Sequence, residues 1–324
     1  MSLWENISRV FQRWHPQVDI PEDARCIQLV VIKMPPSKIK IDLLTQYFED
    51  RPEEVFNGAD LRYLFTEKFY VWNLPPSMMP CSFTQMLLTR GRLERLHLRS
   101  KRYTSLVLYS WQGAATPLSV ALSLRKEQSF FSHASAMWIH GLSEHHKQIF
   151  LNKEQLAKPA RPGALSQESI ERAFQNEQRR SKMAYQFNGS TITLLNGKHT
   201  GRMGVETAKA PTGQKVDVTS MERTLIDIAV RPAYSGGVAH VLEAYKRARG
   251  RVSVSQLTSL LAKFDYTYPY HQSIGFYLKR AKYGEEDQLL AKEKGAIFNF
   301  YLSHGLRNPS FDPEWQIYFP QSLK

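Results

Sequence analysis

The sequence predicts an α+β fold: an N-terminal winged helix-turn-helix followed by an α/β domain with a β-meander and a helical C-terminal part. Three observations lead there. Residues 37–110 give three helical stretches and then a basic hairpin. Residues 147–218 read as strands around Asn-Gly pairs, the strongest short signal for a tight hairpin turn. Beyond residue 219, apolar side chains recur at helical spacing, punctuated by capping residues, glycine and proline.

The totals bound what such a chain does. At 324 residues it has room for two domains, or for one domain with a substantial extension. A hydrophobic content of 42% supports a packed core and excludes wholesale disorder. The net charge of +13 favours a polyanionic partner, nucleic acid before an anionic membrane surface. A merely basic soluble protein is the alternative. Cys26 and Cys81, with no CxxC pair, imply neither a disulfide framework nor a cysteine-rich zinc site. Glu5, Arg9 and Arg13 interrupt the apolar residues of the N-terminus, and no apolar run approaches membrane-spanning length, so a cytoplasmic protein without a membrane partner is expected.

Residues 1–36 form an N-terminal extension. Leu3, Ile7, Val10, Phe11 and Trp14 share a helical face, and the run from Cys26 to Ile32 reads as a strand stopped by Pro35-Pro36. Either a docking arm or a helix and strand packed on the next domain fits that pattern.

Residues 37–110 follow the order of a winged helix. Ile39, Ile41, Leu44, Tyr47 and Phe48 place a first helix near 38–49, and Leu61, Leu64 and Phe65 a second near 58–67. In the third, Ser82 and Gln85 have capping-box spacing, Phe83, Met86 and Leu87 face inward, and Gly91 ends the helix. Thr84, Gln85, Thr89 and Arg90 are left outward, the residue types that reach base edges and phosphates. The stretch from Arg92 to Tyr103 reads as strand, basic turn and return strand: Arg92, Arg95, Arg99, Lys101 and Arg102 stand against Glu94 alone. A solvated hairpin is the plain alternative to a phosphate-gripping wing. Asp42, Glu49, Asp50, Glu53 and Glu54 make the first-helix region acidic, so it should face away from DNA. The apolar segment from Lys68 to Pro80 replaces the short turn usual before the third helix, and either displaces that helix or covers part of it.

The α/β domain with its helical C-terminal part, residues 111–324, follows. Thr116-Pro117 has the form of an N-cap with proline at the first helical position. His133, His140 and His145-His146 invite a metal or catalytic reading, but no carboxylate or cysteine completes a ligand set, so satisfied or surface histidines are preferred. Asn188-Gly189 and Asn196-Gly197 predict two hairpin turns around 190–195, and Lys215 to Val218 a last strand. There is no GxGxxG or P-loop arrangement, and Ser132, Ser135 and Ser220 lie outside a GxSxG elbow. Thr219 and Glu222 then have capping-box spacing before the apolar stripe of Met221, Leu225 and Ile228. Pro232 stops that helix, and Gly236-Gly237 allows a reversal into a second one ending at Gly250. Arg223 and Asp227, four apart, are placed to pair along the helix or, exposed, to meet a partner. Ser253 and Gln256 suggest a further capping box. Tyr266, Tyr268 and Tyr270 precede a helix with Lys279-Arg280, arranged either for helix packing or for stacking on single-stranded nucleic acid. The tail to Lys324 carries no motif.

Three of these phrases resemble the AbiEi family, antitoxins of bacterial abortive-infection systems, and they occur in family order between about residues 80 and 250. They are the hairpin from Gly91-Arg92-Leu93 to Tyr103; Ser132, Ser135-Ala136 and His140-Gly141-Leu142; and Ser220, Glu222-Arg223-Thr224-Leu225-Ile226-Asp227, Arg231-Pro232 and Gly236-Gly237. The resemblance implies an N-terminal winged helix that binds double-stranded DNA at its own promoter, and a C-terminal domain that counters a nucleotidyltransferase toxin encoded nearby. It implies no enzymatic activity and no cofactor. A winged-helix transcriptional regulator without a toxin retains every basic residue above. A nucleic-acid-processing enzyme would require clustered carboxylates with a lysine or metal set, which the sequence does not offer.

Overall fold

A computed structural model describes residues 38–51, 54–113, 115–144, 147–157 and 164–324. The N-terminal extension 1–36, Glu53 and His145-His146 lie outside the described residues. The fold is mixed α+β, with eleven α-helices and three sheets among the described residues. None of these helices is long and apolar enough to cross a membrane.

The N-terminal part consists of α1 (Ile41–Glu49), β1 (Val55–Phe56), α2 (Gly58–Lys68), α3 (Pro80–Thr89), β2 (Leu93–Leu98) and β3 (Leu106–Trp111), with sheet order β1-β3-β2. Asn57 caps α2 through a capping box closed by Asp60. The segment between α2 and α3 leaves Gln85, Thr89 and Arg90 of α3 exposed. It sends Trp72 into the centre of the helical core, stacked on Phe83 at 5.6 Å and Phe48 at 6.0 Å between ring centres. Trp72 and Leu74 of the insertion are thus core residues, while Tyr70, Val71 and Met79 stay exposed.

The β2–β3 hairpin has two buried faces, because alternate side chains of a strand point to opposite sides. Leu93 and Trp111, opposite each other, join the helical core around Trp72. Leu98 and Leu108, with Leu96 and Leu106, join a second core that includes Phe131, Ile149, Leu151 and Val218. The two parts thus share the hairpin as a common wall, and the boundary expected near 110 falls inside β3.

The following elements are α4 (Pro117–Leu124), β4 (Phe130–Phe131), α5 (Ala134–Ile139), β5 (Gln148–Glu154), α6 (Gln167–Gln175), β6 (Ala184–Phe187), β7 (Ser190–Gly197), β8 (Val205–Lys209) and β9 (Lys215–Thr219). Thr116 caps α4 with Pro117 in its first turn, as expected. The six strands do not form a β-meander. Their order is β6-β7-β5-β4-β9-β8, with β5/β7 and β4/β9 parallel and the hairpins β6–β7 and β8–β9 at the edges. Asn188-Gly189 does form the β6–β7 turn. Asn196-Gly197 does not form a second one: β7 runs on to pair Gly197 with Glu154. Asn152 Oδ1 accepts the Gly197 N–H at 2.9 Å, and any Cβ at 197 would fall within 3 Å of that amide. The glycine serves close approach in a strand rather than a turn.

The C-terminal part adds α7 (Met221–Val230), α8 (Val238–Ala248), α9 (Val254–Phe264), α10 (Tyr270–Arg280), α11 (Glu285–Lys292) and a small sheet of β10 (Phe300–Tyr301), β11 (Ser310–Asp312) and β12 (Ile317–Phe319), ordered β10-β12-β11. They enclose the largest core, in which Tyr270, Tyr277 and Phe300 are buried. The tyrosine-rich stretch therefore packs helices: Tyr266 meets Tyr270 edge-on at 5.3 Å, and Arg280 lies over Phe276 and Phe319.

Candidate nucleic-acid interface

Helix α3 opens on Pro80, whose missing N–H is one that a helix start leaves unpaired in any case. Met79 is the N-cap residue and contributes no side-chain hydrogen bond, so the expected Ser82–Gln85 capping box does not form. Ser82 lies inside the first turn. Phe83 and Leu87 are buried against Trp72 and its neighbours, which turns Gln85, Thr89 and Arg90 to solvent. Thr84 is only half-exposed, and its hydroxyl donates to the Pro80 carbonyl at 3.1 Å. The Thr89 hydroxyl donates to the Gln85 carbonyl at 2.9 Å and accepts from Gln85 Nε2 at 3.3 Å. Of the four outward residues expected, Arg90 keeps its full hydrogen-bonding capacity for a ligand, and Gln85, engaged once at each end of its amide, keeps one further donor and acceptor.

The hairpin begins directly after this helix. Leu87 and Leu88 carbonyls accept from Arg92 and Gly91, fixing the exit of the chain. Arg95 projects from the strand face that also carries Leu93 and His97, and its Nη2 donates to Gln85 Oε1 at 3.3 Å. Helix and hairpin thus meet through two exposed polar side chains. At the tip, Ser100 Oγ accepts from the N–H groups of Arg102 and Tyr103, closing a turn that leaves Arg99, Lys101 and Arg102 exposed. Arg92 is half-buried at the base. Among the described residues, no carboxylate lies within 4 Å of Arg90, Arg92, Arg95, Arg99, Lys101 or Arg102. Glu49 of the acidic first helix accepts from Gln112 at 3.3 Å, at the end of the hairpin opposite its tip. The cations gathered here are uncompensated, an arrangement that a polyanion relieves.

The residues around α7 make a different kind of site. Ser220, not Thr219, is the N-cap, accepting from the Arg223 N–H at 3.3 Å. Thr219 ends β9, and its hydroxyl pairs with that of Thr224 at 2.7 Å. Glu222 does not reach back to its own cap, as expected from the spacing, but accepts from the Ser253 N–H at 3.3 Å and so helps cap α9. Arg223 and Asp227 are not exposed. They are 3% and 6% accessible, with Nε 3.5 Å from Oδ2. Arg223 Nη1 also lies 3.4 Å from Glu154 Oε1 and donates to the Thr200 hydroxyl at 2.8 Å, while the guanidinium sits between the rings of Phe130 and Phe264. Burial opposes the charge of Glu154, but hydrogen bonds from Thr200 and Arg202 and the nearby Arg223 outweigh it and hold its carboxyl below the usual range. At Asp227 burial prevails over Arg223, and the carboxyl is raised. Glu154 and Thr200, 69 and 23 residues before Arg223 in the chain, carried no local signal in the sequence. Gly236 and Gly237 make the reversal between a short 3-10 turn and α8.

Of the histidines that the sequence singles out, the structure describes His133 and His140. His133 is buried, its Nδ1 2.9 Å from the Ser132 hydroxyl, and burial with the nearby Arg231 and Arg223 lowers its pKa to about 3. His140 Nε2 donates to the Thr219 carbonyl at 2.6 Å. Among the described residues no group of histidine, cysteine and carboxylate side chains is arranged to hold a metal ion.

The sequence matches no protein-family model and no curated protein. The structure is similar to the crystal structure of the Rv2827c protein from Mycobacterium tuberculosis, with a TM-score of 0.53 and 16% identity over 87% of this chain and 92% of that one. At that identity the likeness is one of fold.

Proposed function

We propose that the protein is a double-stranded-DNA-binding regulator of the winged helix-turn-helix kind, with α3 in the major groove and the β2–β3 hairpin as its wing. The observation that carries this reading is the Arg95–Gln85 contact, which joins the solvent face of α3 to an unpaired cationic hairpin in one surface. Gln85 suits the paired donor and acceptor of adenine, and Arg90 those of guanine. Arg92, Arg99, Lys101 and Arg102 supply sequence-independent phosphate contacts. The resemblance of the α7 phrase to AbiEi antitoxins supports the fuller proposal: an autorepressor of a toxin–antitoxin operon whose toxin is a nucleotidyltransferase. In that reading the buried Arg223 cluster shapes the antitoxin domain rather than touching the toxin, and the protein has no catalytic role of its own.

Replacing Arg92, Arg99, Lys101 and Arg102 together by alanine tests the first part. Loss of about four phosphate contacts flattens the slope of log K against log salt by roughly 3–4. An unchanged slope places the DNA surface elsewhere. For the second part, the same full-length variant is expressed beside the nucleotidyltransferase gene that this reading expects to be encoded nearby, and absence of such a gene favours a regulator without a toxin. Continued growth with operator binding lost supports separate repressor and antitoxin surfaces, and growth arrest refutes that separation.

A further inference from the structure

The wing does not end at its own sheet. Arg99 pairs antiparallel with Gln186 of β6, the edge strand of the six-stranded sheet: the Arg99 N–H donates to the Gln186 carbonyl at 3.3 Å, and the Gln186 N–H returns to the Arg99 carbonyl at 2.7 Å. Two strand edges that would otherwise be open to solvent meet here. Along that antiparallel register, the chain beyond Arg99 runs toward Ala184 and the loop that precedes it. With a strand rise of about 3.3 Å per residue, the hairpin tip and residue 182 are within roughly 10–15 Å of one another.

That loop carries Arg179, Arg180 and Lys182, all exposed. No carboxylate lies within 4 Å of any of the three among the described residues. Its inward groups are tied down. The Ser181 N–H donates to the Tyr234 hydroxyl at 2.7 Å, and the Ser181 hydroxyl donates to the Leu194 carbonyl at 2.7 Å. Arg231 Nη1 donates to the Arg179 carbonyl at 3.1 Å, and Gln178 Nε2 to the Val230 carbonyl at 3.4 Å. The backbone is thus anchored to the end of α7 and to β7, leaving the three cationic side chains outside. A loop fixed in this way gives up little further backbone freedom on binding.

We infer that Arg179, Arg180 and Lys182 form a second phosphate-binding patch, which extends the wing's grip along the DNA backbone flanking the site read by α3. The inference rests on the DNA-binding reading above. It assigns to the C-terminal part a direct share of the DNA footprint, held in register with the wing by the Arg99–Gln186 pairing. Duplex DNA carries one negative charge per about 1.7 Å of axis, so a patch displaced by 10–15 Å from the wing still meets the same backbone.

The test measures binding of the full-length protein to a fluorescent random-sequence duplex of about 30 base pairs across a salt series, because phosphate contacts are independent of sequence. Changing Arg179, Arg180 and Lys182 together to alanine is expected to flatten the log K–log salt slope by roughly 2–3, at about 0.9 per phosphate. Combination with the four wing substitutions should add the two losses. Arg179→Lys with Arg180→Lys should keep the wild-type slope, since phosphates here are met by charge rather than by paired hydrogen bonds. Circular dichroism checks the fold of each variant. A wild-type slope in the triple-alanine protein, with a flattened one in the wing variant, overturns this inference and leaves the wing reading intact. Unchanged slopes in both variants overturn both.

Discussion

Arg223 is the position at which substitution should cost the most for its size. It is 3% accessible, lies 3.4 Å from Glu154 and 3.5 Å from Asp227, donates to the Thr200 hydroxyl, and is held between two phenyl rings. Replacing it by methionine keeps an apolar stem between Phe130 and Phe264 but leaves two buried carboxylates without a cation. Breaking a buried pair by removing one partner costs about 3–5 kcal/mol, far beyond the ~1 kcal/mol of an exposed bridge. The three-way replacement Arg223→Met, Glu154→Gln and Asp227→Asn removes the charges together and should recover most of that loss. Urea unfolding followed by far-ultraviolet circular dichroism measures both variants. An Arg223→Met protein within about 1 kcal/mol of wild type, with no gain in the triple variant, would refute the electrostatic account. The two carboxylates also titrate with opposite sign. Glu154, held low, contributes stability that is present above the ordinary carboxylate range and lost as pH falls through its folded value. Asp227, raised by burial, contributes stability that is present at low pH and lost as pH rises through its folded value. Asp227→Asn alone should therefore be far milder at neutral pH than Arg223→Met. A growth-rescue defect in an Arg223 variant reports folding before it reports toxin recognition.

Two further perturbations follow from buried groups. His133, with its pKa lowered to about 3, stays neutral in the folded protein, while the unfolded chain takes up a proton below about 6.5. Its contribution is intact above that value and drains as pH falls toward 3, at about 1.4 kcal/mol per pH unit. His133→Gly, chosen because the residue sits at φ +53° and ψ −129°, a conformation that glycine adopts without strain, should remove that part of the slope of stability against pH. An unchanged slope between pH 4 and 6 would exclude His133 as its source. Gly275 of α10 lies against Trp315, and a Cβ placed there falls 2.0 Å from the indole ring. Gly275→Ala should destabilise by roughly 1–3 kcal/mol or more despite alanine's better helix propensity, and a variant more stable than wild type in urea would contradict this packing.

Local signals served well where the physics is local. The three helices and the hairpin of 37–110, the Thr116-Pro117 helix start, the Asn188-Gly189 turn and the stop at Pro232 each depend on residues within one or two turns of each other, and the structure has them. Such signals failed where a tertiary partner competed for the same group. Glu222 has capping-box spacing, yet its carboxylate is used by Ser253 on another helix. Asn196-Gly197 has turn wording, yet Asn152 holds Gly197 in a strand. Arg223 and Asp227 read as a surface pair, and their i,i+4 contact does exist, but Glu154 from β5 and Thr200 from the loop after β7 arrive to bury it. The tail without a motif became a three-stranded sheet, because strands of two or three residues are too short to show a period. The sequence by itself determined the helices of the N-terminal part and around Pro232, the cationic hairpin and most of the glycine and proline punctuation, since propensity, capping and charge act over a few residues. Strand order, the burial of Arg223 and the Arg99–Gln186 junction were decided only by the tertiary structure, because each joins residues dozens of positions apart.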